Sequence, residues 1–154
     1  MKKQPTRWSL QSPQSELPLK LPVRTSTLDV VVPYKTPELT AAALQYATKL
    51  GEGLNIRLRL VDIHVVAYSL PLDKPSVSRQ HLEDNLRNLA RESGAVIYPE
   101  LIFARDWEAG FRRALRPGSL VLIPIRKSWW RSRDKRMAER LRKHGHQVIW
   151  VEYE

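Results

Sequence analysis

The sequence predicts an α/β domain, a five-stranded parallel sheet alternating with four helices behind a basic tail. Strand-like and helix-like apolar periods alternate from Leu28 onward, the connections between them are short, and 154 residues suit one core. Alternation of this kind places helices on both faces of the sheet and gives a three-layer sandwich.

Residues 1–26 scatter Pro5, Pro13, Pro18 and Pro22 among Ser, Gln and Lys without apolar periodicity, and are expected to form a disordered basic tail ahead of a domain at 27–154. The run LDVVVPY from Leu28 reads as the first strand. Thr36, Pro37 and Glu38 then supply a hydroxyl cap, a proline at the first helical position and an acid at the positive end of the dipole. In the helix that follows, Leu39, Ala43, Tyr46, Ala47 and Leu50 form the expected buried stripe, and Gly51 a left-handed stop. Residues 55–68 read as a second strand, half wet where Arg57 and Arg59 alternate with Ile56, Leu58 and Leu60. Leu82, Leu86, Leu89 and Ala90 mark a second helix ending at Gly94. In the next strand, AVIYPELIF, Pro99 withholds a ladder donor and predicts a sheet edge. Asp106 caps a third helix carrying Trp107, Phe111 and Leu115. SLVLIPI is the most apolar strand and belongs inside the sheet. Trp130, Met137, Ala138 and Leu141 mark a fourth helix ending at Gly145, and QVIWVEY is the fifth strand.

The absence of cysteine excludes disulfides, thiolate metal sites and cysteine nucleophiles. No stretch reaches the roughly 18 apolar residues of a membrane span, and the N-terminus lacks the apolar core of a secretory signal, so a cytoplasmic protein without membrane insertion is expected. The net charge of +10 is focused. Residues 126–143 hold nine cations against Asp134 and Glu139, and the tail holds five against Glu16. Charge concentrated in this way attracts phosphates or polyanions.

The remaining candidates have simpler readings. Asp62 and His64 share a strand face, which permits a titrating pair, although a structural histidine at a strand end accounts for the pattern. His81, His144 and His146 lack metal-ligand spacing. Trp129 and Trp130 beside arginines suit single-stranded nucleic acid, but no RNA or DNA motif accompanies them, and Trp130 also fits the core by its spacing to Met137. No Ser, His and Asp grouping forms a nucleophile elbow, so an enzyme is not expected.

The strings VVVPYKTPE, HVV, ARDWEAGFRRAL, SLVLIPI and MAERLRKHGHQVIWV stand in the order and spacing of the universal stress protein family, which the chain resembles from about Leu28 to its end. The resemblance implies strand order 3-2-1-4-5, of adenine nucleotide alpha hydrolase-like type, which puts the Pro99 strand at an edge. It also implies a stress-response role and, in many members, an ATP site at the carboxyl ends of the first and fourth strands. Here the pattern departs. The acid after the first strand is replaced by Lys35, and a glycine pair falls on Pro124 and Lys127. A later glycine falls near Lys135 and Arg136. Those glycines let backbone amides approach phosphate, and proline removes an amide. No cofactor is therefore expected, and ATP is disfavoured.

In the resembling fold, Lys35, Arg126, Lys127, Arg131, Arg133, Lys135 and Arg136 would converge on one crevice as an anion or nucleotide site. The expected function is a non-enzymatic binding or regulatory domain, homodimeric through its C-terminal strand, whose Val148, Ile149, Trp150 and Val151 leave an edge to cover. The alternatives are a nucleotide- or phosphometabolite-binding regulator using those cations, and a nucleic-acid or anionic-surface binder using the tail and the basic helix.

Overall fold

The computed structural model describes residues 27–126 and 132–153. The expected tail lies outside the described residues, as do Lys127, Trp129, Trp130 and Arg131. The elements run β1 (Leu28–Pro33), α1 (Pro37–Leu50), β2 (Ile56–Val65), α2 (Arg79–Glu92), β3 (Tyr98–Ala104), α3 (Trp107–Ala114), β4 (Leu120–Arg126), α4 (Ser132–Lys143) and β5 (Gln147–Tyr153). All strands are parallel in the order β3-β2-β1-β4-β5. β3, which carries Pro99, is an edge, and β4 is an interior strand, buried from Leu120 through Ile125.

The period of two along each strand sorts the core into two layers. Val30, Val32, Leu58, Leu60 and Leu122 meet Ala43, Leu44 and Ala47 of α1 and Leu86 of α2. Val31, Val61, Ile63, Val121 and Ile123 meet Phe111 and Ala114 of α3 and Ala138 and Leu141 of α4. Gly110 lets α3 approach, because a Cβ there would stand 2.3 Å from Ile63 Cγ2.

The helix caps follow the expected chemistry. Thr36 Oγ1 accepts from the Leu39 amide and Asp106 Oδ1 from the Ala109 amide. Two details of α1 differ from expectation. Gly51 keeps a right-handed backbone (φ −83°), and the left-handed residue of that turn is Gly53 (φ +77°), within the four residues 52–55 that reverse the chain into β2. The buried stripe is also rotated: Thr40 and Leu44 are buried, while Tyr46 and Leu50 are exposed. Thr40 tolerates burial because its hydroxyl accepts the Lys35 amide at 2.9 Å.

The start of β2 is drier than its alternation implies. Arg59 is only 2% exposed. Its Nε and Nη2 donate to the two carboxylate oxygens of Asp29 at 2.9 and 2.8 Å. Nη1 donates to Glu100 at 2.9 Å, and Nη2 also to the Ala114 carbonyl at 2.7 Å. Ser119 Oγ donates to Asp29 at 2.8 Å. A guanidinium matches this planar, bidentate demand, which is why a charged side chain is stable in the layer.

Arg59→Ala leaves Asp29 with only the Ser119 hydroxyl and the Ala114 carbonyl without its guanidinium donor, and is expected to cost about 3 kcal/mol in urea unfolding. Burial alone would raise the Asp29 carboxyl, but its bonds to Arg59 and Ser119 and the charges of Arg59 and Arg116 hold it below its ordinary 3.8. A depressed folded pKa stabilises above the unfolded value, so this contribution is complete above about pH 4 and is lost as pH falls through the folded value. Asp29→Asn is expected to flatten that acid limb of the stability profile.

Candidate functional site

The β1–β4 ladder is short, pairing only Val30 with Leu120 and Val31 with Val121. Beyond it, Pro33 and Pro124 both lack an amide proton, and the carboxyl ends of β1 and β4 part. Strand order reverses here, with β1 leading to α1 on one face and β4 to α4 on the other, so a crevice opens on the α3–α4 face.

Pro33, Lys35, Trp107, Phe111, Ile123, Asp134 and Met137 line this crevice. Its volume is about 40 Å³, room for a water or two. Lys35 Nζ crosses it to Asp134 Oδ1 at 2.7 Å, joining the end of β1 to the first turn of α4. Both side chains are half-buried, so the pair is less screened than a surface bridge. Asp134 is the residue that the sequence reading missed as a site member. Its signal was available, as one of two acids in a basic segment, placed where a helix N-terminus favours an anion.

Of the other expected cations, Lys127 and Arg131 lie outside the described residues. Arg126 ends β4 with its guanidinium 6.0 Å from the Tyr153 ring centroid. Arg133, Lys135 and Arg136 belong to the first turns of α4, where Lys135 and Arg136 are exposed and Arg136 flanks Asp106, Trp107 and Glu108. Among the described residues, Lys35 is the cation that lines the crevice itself.

On the opposite face, Tyr34, Asp62 and His64 lie near the carboxyl ends of β1 and β2. His64 stacks edge-on against Phe103 at 5.9 Å. No hydrogen bond reaches the Asp62 carboxylate among the described residues. Burial pushes Asp62 above its ordinary 3.8, with the His64 charge opposing, and burial with the charges of Asp62 and Glu38 raises Tyr34. His144 and His146 follow α4, and no cluster of three metal-ligating side chains occurs among the described residues. No helix among them is long and apolar enough to cross a membrane.

The fold with parallel order 3-2-1-4-5 is also found in solved structures. A universal stress protein from Archaeoglobus fulgidus superposes with a TM-score of 0.52 at 14% identity, covering 80% of this chain and 93% of that one. The fold is that of the universal stress proteins. A protein of the universal stress protein family from Burkholderia pseudomallei aligns at 18% identity over 84% of this chain and 98% of its own, with a TM-score of 0.49. No family model and no curated protein matches the sequence. Within the universal stress protein fold, the crevice at the ends of β1 and β4 is here lined by an internal ion pair and five apolar side chains.

Asp62 supplies a test of the opposite face. An acid whose folded pKa lies above its unfolded value opposes folding once ionised, so its penalty is present at pH 7, fades as pH falls through the raised folded value and is gone below about 3.8. Asp62→Asn is expected to raise the urea midpoint at pH 7, with no gain at pH 3.

Proposed function

We propose that the chain is a binding and regulatory domain of universal stress protein type, without enzymatic activity, whose β1–β4 crevice is closed by its own side chains rather than filled by ATP. The observation that carries this reading is the Lys35–Asp134 pair. A cation waiting for phosphate would be left with unused charge, whereas this one meets a carboxylate at 2.7 Å.

Two further features support the reading. The Lys35 amide, at the turn where a phosphate would seek backbone donors, is already bonded to Thr40 Oγ1. The crevice holds about 40 Å³ between Trp107, Phe111 and Met137, whereas ligand pockets are commonly 300 Å³ or more. In this reading the domain acts through its surfaces. A phosphate-bearing ligand gathered by Lys35, Arg126, Lys127, Arg131, Arg133, Lys135 and Arg136 would first have to displace Asp134.

Thermal unfolding with millimolar ATP, ADP and inorganic phosphate tests the proposal, because a ligand at 100 times its Kd adds about 2.7 kcal/mol to the folded state. The expected result is no change in Tm. A rise with ATP that is abolished in Lys35→Ala overturns the proposal, and a rise with inorganic phosphate alone transfers support to the cationic-crevice alternative.

The same domain is proposed to form a homodimer through β5. That strand pairs with β4 on one side only and carries no proline, whereas Pro99 protects the opposite edge. Ile149 and Trp150 are half-buried along it. Sedimentation equilibrium is expected to give twice the 17.9 kDa chain mass. A monomer at micromolar concentration would count against this assembly.

A further inference from the structure

α3 and α4 cover the same sheet face without packing closely on one another. α3 is eight residues long, and a cleft of about 250 Å³ opens between it and α4. It is separate from the β1–β4 crevice, although Phe111 and Met137 contribute to both.

The wall has two kinds of surface. Phe111, Leu115, Met137 and Leu141 make an apolar floor. The rim is cationic or neutral: Arg112, Arg140, His144 and His146, with Glu108 as its acid. Arg140 already engages Glu108 at 2.6 Å, so the acid is neutralised in place. Arg112 has no carboxylate partner among the described residues. His146 Nδ1 is buried and without a hydrogen-bond partner, which leaves a polar group in the wall unsatisfied. Burial, with the neighbouring His144, holds the His146 pKa below its ordinary 6.5, so the ring is neutral at pH 7.

From this we infer that the α3–α4 cleft binds a small amphipathic anion, its apolar body on Phe111, Leu115, Met137 and Leu141 and its single anionic head on Arg112. An apolar pocket with a few convergent polar groups is the usual form of a small-molecule site. The volume suits a short acyl chain or one aromatic ring. A guanidinium without a carboxylate is the natural receptor for a carboxylate head.

Isothermal titration calorimetry of the full chain with sodium octanoate and sodium benzoate tests this, with octanol and octylammonium as probes of the head group. One of the two carboxylates is expected to bind saturably at one per chain, and the alcohol and the amine at least about tenfold more weakly. Octanoate as the binder identifies a chain, and benzoate a ring. Leu115→Trp fills the floor and Arg112→Glu inverts the head-group charge, and each is expected to weaken binding about tenfold or more. Arg112 is exposed, so its substitution leaves the core intact and decides the matter if Leu115→Trp does not fold. No saturable heat from either carboxylate, equal affinity for octanol, or wild-type affinity in Arg112→Glu overturns the inference.

Discussion

One buried guanidinium holds the amino-terminal half of the sheet together. Arg59 of β2 reaches Asp29 of β1, Glu100 of β3 and the last carbonyl of α3, and Asp29 passes the connection on to Ser119 at the entrance of β4. Four strands and a helix end thus share one network. A buried ion pair adds little net stability over an apolar replacement, since desolvation cancels much of the attraction. Geometry is what it supplies. A shift of β1 against β2 by one residue would move Asp29 to the other face and leave Arg59 unpaired, so the network penalises misregister more than it rewards the native state.

With register fixed at that end, the carboxyl ends are free to diverge, and Pro33 and Pro124 remove the amides that would otherwise continue the ladder. A crevice follows from topology alone. What fills it follows from side chains, and here a lysine and an aspartate from opposite sides of the switch point close it over Trp107 and Phe111. The backbone donors that would cradle phosphate in such a place are taken, as at Lys35, or absent, as at the two prolines.

Much of this architecture was legible in the residues. Thr36 and Asp106 announced their helices through cap chemistry, and Pro99 announced an edge because an interior ladder cannot spare a donor. The alternation in β2 misled at Arg59, because a period of two records which side chains share a face and cannot tell that a face is dry when its acids come from residues 30 and 41 positions away. The α1 stripe misled for a related reason. Tyr46 and Leu50 fit a helical period, but the sheet lies against Thr40 and Leu44, and the buried hydroxyl of Thr40 is explained only by a turn amide folded back over it. Similarly, the basic segment was legible as charge but not as arrangement, since pairing is a property of three-dimensional neighbours.

That arrangement divides the charge of α4 by function. Asp134, in the first turn, turns the helix inward to Lys35, while Arg140, two turns later, reaches across to Glu108 of α3. Both bridges tie α4 down at its periphery, and between them Met137 and Ala138 join the core cluster that holds Phe111 of α3. The pocket between the helices owes its rim to both, to Arg112 of α3 and to Arg140 from the basic segment. The fold has shut the crevice at its switch point and opened a different cavity one helix-width away, so any ligand recognised on this face meets side chains in place of backbone.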